Sequence, residues 1–367
     1  MLRFKHFIPG IVLIILSVLL LFLARAIPSF AEVYARNIYP VFPRTIGWFF
    51  GLFPFSFFEV GVIIIFLGII YAIVYAIIDA FRPKRRMYLI RRLKRWPVVI
   101  VYFLTIVFFM FVLTAGINYE RESFADHIGI EVRESSVLEL VDMYLILVNR
   151  ANMLASRVVT NESGHFYLHR DDLYPRATRT MENLHNTYGG LVGFFPRAVS
   201  PFFSAAMSHT RITGFFSPWT LEAHYNRQMP EQSIPFVILH ELAHLSGYMQ
   251  EDEANFIAYL AGRDSIYIDF QYSAVYNAIS YTLRALRQVT TPEEYAELFS
   301  LLPEQIRRDL SFASSFWQQF QGRPAEVSQR VNDAYLRANR VFDGVMSYGR
   351  IVDLLLAYYN RVDNALD

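Results

Sequence analysis

The chain has no cysteine among its 367 residues, which excludes disulfides, thiolate catalysis and any cysteine-bound metal. It also lacks net charge: 34 Lys and Arg stand against 33 Asp and Glu, so the overall balance points to no strongly charged partner. Internal repeats and low-complexity tracts are absent too. Charge itself is missing from three stretches, residues 7–23, 60–78 and 98–117. At 1.5 Å rise per residue each is long enough to cross roughly 30 Å of hydrocarbon. They predict a membrane anchor over residues 1–117 with three transmembrane helices and the lipid bilayer as its partner, followed by one domain over residues 118–367. Arg3, Lys5 and the Ala24-Arg25-Ala26 triplet imitate a signal peptide, but the apolar stretch is longer than a usual signal core and is read as a retained span.

Orientation follows from the cations. Arg82, Lys84, Arg85, Arg86, Arg91, Arg92, Lys94 and Arg95 lie between the second and third stretches, and such clusters stay cytoplasmic. The N-terminus with Arg3 and Lys5 then shares that side, and residues 118–367 are expected to be extracytoplasmic. So placed, the cations face lipid headgroups, and no nucleic-acid partner is expected. The first connection is unusually aromatic, from Trp48 to Phe58. Two roles stay open for it: lying in the membrane interface or packing on the neighbouring spans.

Beyond the anchor the chain reads mainly as helix. Ser136 with Glu139, and Thr291 with Glu294, form capping-box patterns that open two helices, the first to about residue 158. More helices are expected over 273–289, 303–320, 325–341 and 347–361. Between 211 and 226, Thr220, Glu222, His224 and Asn226 alternate with Leu221, Ala223 and Tyr225 after a Ser-Pro turn, which predicts a short hairpin.

The strongest chemical signal is His240-Glu-Leu-Ala-His244. On a helix, residues four apart lie one above the other, so the two imidazoles can bind one metal ion together. Glu241 sits about 100° round the helix, where it can take a proton from a zinc-bound water. The flanking Phe236, Val237, Ile238, Leu239, Leu242 and Leu245 make this helix apolar nearly all round, as a buried element should be. Gly247 suits a left-handed helix end, and a second helix is expected from Glu251. Glu251 and Glu253 both offer a third ligand. Asn255, four residues after Glu251, could accept the free ring N–H of a ligand histidine, which favours Glu251, although both acids also suit a helix N-terminus. His224, Tyr272 and Tyr276 are candidate donors to the oxyanion of amide hydrolysis. His165, His169, His185 and His209 have no ligand spacing to one another and are read as surface or core residues.

Residues 212–222, His240 to His244, and 251–261 together resemble a bacterial family of membrane-anchored, zincin-like proteins catalogued as a domain of unknown function. The resemblance covers about 213–281 and the three-span N-terminus. Glu251-x-x-Ala-Asn255 is also similar to the gluzincin segment whose Glu binds zinc and whose last residue orients a ligand histidine. It departs from most gluzincins in that only six residues separate the third ligand from His244. The resemblance implies His240, His244 and Glu251 as Zn2+ ligands and a mostly helical, zincin-like α+β domain with the hairpin at its cleft. In such a fold the strand would offer its edge to an extended peptide.

The expected function is therefore a membrane-anchored zinc metallopeptidase acting on peptide or protein substrates of the cell envelope, with Glu241 as general base. The alternative is a non-catalytic envelope protein in which a closed His/Glu metal site fixes the fold and the helical surface binds a partner.

Overall fold

The computed structural model describes residues 7–82, 85–339, 341 and 350–364. Three helices, α1 (Ile8–Ala26), α2 (Phe57–Phe81) and α3 (Arg86–Phe111), are long and apolar enough to cross a membrane. Along α2 the apolar side chains are exposed on every face, as suits a helix surrounded by lipid. The third candidate span runs from Met87 to Glu120, well beyond the expected 98–117. Its helix starts at Arg86, continues through Pro97 and ends in a π turn at Val112–Gly116 and a 3-10 turn at Ile117–Glu120. Apolar residues mark only the part of a helix that meets hydrocarbon, and Arg, Lys and Leu are good helix formers. The expected basic loop is thus mostly helix: Arg86, Arg91, Arg92, Lys94 and Arg95 lie within α3. Lys84, like Arg3 and Lys5, lies outside the described residues.

The C-terminal end of α1, the N-terminal end of α2 and the C-terminal end of α3 all meet the following domain. Arg25 pairs with Glu120 at 3.0 Å, and the Trp219 indole donates to the Val107 carbonyl at 3.1 Å. At α2 the joint is reciprocal. The Glu222 carboxylate accepts from the amides of Phe57 and Phe58 at 2.9 and 2.8 Å, while Glu59 accepts from those of Phe202 and Phe203, both at 2.9 Å. Each acid satisfies backbone donors at a helix start. The aromatic connection packs Gly51 against Pro196 yet leaves Trp48, Phe49 and Leu52 about half exposed.

The domain opens with α4 (Val137–Ala155), whose Ser136–Glu139 capping box is present as expected. Helix α5 (Leu173–Tyr188) has no counterpart among the expected elements, although Leu173, Ala177, Met181 and Leu184 carry its buried stripe. The hairpin pairs β1 (Gly214–Ser217) with β2 (Glu222–Tyr225) in antiparallel register. Val199 bridges the other side of β2, so β1 is the edge. Then come α6 (Ile234–Leu245), α7 (Glu251–Arg263), α8 (Ile268–Val289), α9 (Pro292–Ser300, with the Thr291–Glu294 capping box), α10 (Glu304–Gln318), α11 (Arg323–Ala338) and α12 (Ile351–Asn364). The last four expected helices appear with shifted ends, and α8 starts earlier, at Ile268. Residues 347–349 of the last expectation lie outside the described residues.

Every residue of α6 is buried. It packs on α7, α8 and both strands. One apolar cluster runs from Ala24 through Tyr39, Ile117 and α6 to Tyr359, so the connection between the first two spans shares a core with the domain.

Candidate metal centre

Helix α6 ends where Gly247 adopts φ +89°, a left-handed conformation that a side chain would strain. Its last carbonyls are met by groups from the anchor side of the chain. The Tyr39 hydroxyl donates to Leu245 O at 2.9 Å and Arg121 to Ser246 O at 3.1 Å. The Arg121 guanidinium lies 3.8 Å above the centre of the Tyr248 ring. This fixed turn brings the first residue of α7, Glu251, back over the α6 histidines.

The structure brings His240, His244 and Glu251 together as a group able to hold a metal ion. The Nε2 atoms of His240 and His244 are 3.0 Å apart. Glu251 Oε2 lies 3.2 Å from the first and 3.6 Å from the second. Ligands about 2.0–2.1 Å from one tetrahedral ion are separated by about 3.3 Å, so the triangle has the size such an ion requires. The His244 Nδ1–H donates to Tyr248 O at 2.8 Å, which turns Nε2 towards the centre. Asn255 lies beside the His240 ring and favours its protonated form, while its Oδ1 accepts from the Tyr281 hydroxyl at 3.3 Å. Beside the centre the buried Glu241 Oε2 has no hydrogen-bond partner, and on the far side of the His240 ring neither Nδ1 nor Asn255 Nδ2 has one. Unmet polar atoms in a core are costly, and the free Glu241 oxygen fits a group that binds at the centre.

Electrostatics agree with that fit. Burial pushes the Glu241 carboxyl up to about 8. Burial lowers His240. It would lower His244 too, but the charge and hydrogen bond of Glu251 outweigh it and hold His244 up at about 9. Burial opposes ionisation of Glu251 as well, but the two imidazoles hold it well below the usual carboxylate range. The cluster thus carries a proton between His244 and Glu251 where a cation can replace it.

Glu253 takes another role. It accepts from Phe124 N at 2.7 Å, at the start of the short helix Phe124–His127, and burial pushes it up to about 7. The two acids left open by the sequence are thereby separated: Glu251 faces the histidines and Glu253 faces a helix start.

The three expected oxyanion donors are committed elsewhere. His224 Nε2 pairs with Ser56 Oγ at 2.8 Å and Nδ1 with Phe215 O at 3.3 Å, so it belongs to the membrane joint. Tyr272 donates to Asp309 Oδ2 at 2.6 Å. The Tyr276 hydroxyl meets Gln232 and Asp309 O at 3.3 and 3.4 Å. A residue missed in the sequence, Tyr281, stands nearer the centre through Asn255. No spacing rule links it to α7, and only the packing of α8 on α7 reveals it.

A cleft of about 840 Å³ opens beside the cluster, with His240, Asn255, Tyr281, Val237 and Thr213 in its wall. The edge strand borders it. Gly214 approaches so closely that a Cβ there would lie 2.5 Å from Glu241 Oε1 and 2.7 Å from Val237 Cγ1. Only glycine lets β1 pass this near the acid. A smaller cavity of about 300 Å³ beside Tyr267 and Asp269 contains none of these groups.

Residues 34–356 match a protein family described as "Protein of unknown function (DUF3810)". The chain belongs to this family. The DUF3810 match begins after the first span and extends through the C-terminal helices, whereas the sequence resemblance was expected to include all three spans and to fade beyond residue 281. No curated protein and no solved structure matches the chain.

Proposed function

We propose that this protein is a membrane-anchored zinc metallopeptidase whose cleft lies on the extracytoplasmic face of the membrane. The observation that carries the reading is the convergence of His240, His244 and Glu251 on one point, with the unpartnered Glu241 carboxylate next to it. An HExxH helix, a glutamate helix and an edge strand along a cleft are the parts that a zincin-like fold implies. A zinc ion held there would polarise a scissile carbonyl and make water nucleophilic near neutral pH.

The chain's own residues do the rest. Glu241, whose carboxyl is raised by burial and stands beside the metal position, is placed to accept a proton from the attacking water and to pass it to the leaving amine. Gly214 leaves room for that carboxylate, and β1 offers backbone groups to an extended peptide. Tyr281 holds Asn255 beside the His240 ring. The cations of α3 stand at the end of the spans away from the domain, so the positive-inside rule puts the domain outside.

The alternative is a closed structural site. Among the described residues no fourth His, Asp or Glu joins the three, and a structural site has no use for a carboxylate in the position of Glu241. The test is metal analysis of the purified full chain together with hydrolysis of unstructured peptides. One zinc per chain is expected, and Glu241→Gln should keep it while hydrolysis falls by about 10²–10⁴-fold. A wild-type protein without stoichiometric zinc would refute the peptidase reading. Bound zinc with no hydrolysis and no inhibition by hydroxamates would favour the structural one.

A further inference from the structure

The wall of the 840 Å³ cleft carries charge of one sign. Arg211, Arg284, Arg287 and Arg307 line it, and none of its described lining residues is acidic. In a chain with 34 basic and 33 acidic residues this is a local arrangement. The four come from three separate places: Arg211 precedes β1, Arg284 and Arg287 are three apart on α8, and Arg307 is on α10. All four are exposed, and among the described residues none forms an ion pair. Nearby carboxylates are engaged elsewhere. Glu304 pairs with Arg308, and Asp309 accepts from Phe166 N and the Tyr272 hydroxyl at 3.0 and 2.6 Å.

Three of the arginines are also held over aromatic rings. The guanidinium of Arg284 lies 4.8 Å from the Tyr281 ring centre, that of Arg287 6.0 Å from Tyr295 and that of Arg211 6.0 Å from Trp317. Stacking of this kind pre-orders a guanidinium without using up its hydrogen bonds. Through Tyr281 and Asn255, Arg284 is directly linked to the wall that carries His240.

Building on the peptidase reading, we infer that the cleft selects anionic peptides, with Arg284, Arg287, Arg307 and Arg211 receiving substrate carboxylates beside the cleavage centre. Guanidinium forks match carboxylate geometry and bind it through paired hydrogen bonds. The carboxylates can come from acidic side chains or from the chain end. The two sources are separable by experiment.

Binding is measured on the full-length, zinc-loaded Glu241→Gln protein in detergent by fluorescence anisotropy. Four labelled octapeptides are used: Glu-rich or Gln-rich, each with a free or an amidated C-terminus. The Glu-rich pair is expected to bind about tenfold more tightly than its Gln counterparts, and the advantage should shrink as salt rises. A tenfold advantage of free over amidated ends would instead assign the site to the terminal carboxylate. Either preference should disappear in Arg284→Gln/Arg287→Gln/Arg307→Gln, whose changes are all on exposed side chains. Equal affinity for all four peptides, or a preference that survives the triple variant, overturns the inference. Hydrolysis by the wild-type protein separates this from the parent reading. Charge-selective binding without cleavage leaves the anionic cleft standing and removes the peptidase, whereas cleavage indifferent to charge does the reverse.

Discussion

Two places in this molecule bury a histidine together with glutamates, and they are built on opposite terms. At the membrane joint, Glu222 and Glu59 each receive two backbone amides, and both nitrogens of His224 are within hydrogen-bonding distance of a partner. At the cleft, the imidazoles of His240 and His244 point their Nε2 atoms at one another 3.0 Å apart, and Glu241 keeps a buried oxygen without a partner. The first arrangement is complete without any added group; the second is not. Residue type and burial therefore do not separate a scaffold from a binding centre, whereas unmet capacity does.

The contrast is sharpest if one histidine is removed from each place. His244→Ala is expected to abolish stoichiometric zinc, because two remaining ligands are too few for a stable site. His224→Ala should keep zinc but lower the stability of the folded chain by about 1–3 kcal/mol, since Ser56 loses its buried partner. Metal analysis and denaturation of both variants would erase the distinction if the outcomes were exchanged.

The next largest effect divides two neighbouring acids. Glu251→Gln should lose zinc on dialysis. Glu253→Gln should retain it and instead weaken the docking of Phe124–His127, with a stability loss of about 1–3 kcal/mol. Retention of zinc by Glu251→Gln together with its loss from Glu253→Gln would reverse the assignment. Gly214→Ala follows. Its methyl group would crowd Glu241, Val237 and the His224 carbonyl, and hydrolysis should fall by about a hundredfold with zinc still bound.

The effect that needs the finest resolution to isolate is a pH dependence at the joint, because two buried groups there titrate in opposite senses. Burial lowers His224 from 6.5 to about 4. Below about 6.5 the unfolded chain takes up a proton that the folded chain refuses until about pH 4. The contribution of His224 is thus full above 6.5 and is lost as pH falls towards 4, by about 3 kcal/mol. Glu222, raised by its own burial, acts in the opposite sense, so the quantity to measure is the difference in acid unfolding between wild type and His224→Gln. A wild-type slope that persists in the variant would remove His224 as its source.

The sequence made local features legible. The HExxH face, the left-handed Gly247 and both capping boxes depend on residues within a few positions of one another, and all stand where the pattern put them. What it could not show depends on distant partners. His224 has the chemistry of a catalytic donor, but Ser56, 168 residues earlier, claims its ring. Glu251 and Glu253 are equivalent by composition, and only the Phe124 amide separates them. Tyr281 is one of 23 tyrosines, and its place follows from how α8 crosses α7. The helix that carries the third apolar stretch starts before that stretch, at Arg86, because hydropathy reports where lipid begins, not where a helix does.

The carboxylate exchange between Glu222 and the first turn of α2 has a mechanical side. The hairpin that grips this apolar helix is the same one that carries Gly214 against Glu241, so α2 and the cleft are joined through a single rigid element. On the proposed peptidase reading, such a cleft would act on polypeptide segments presented close to the bilayer surface.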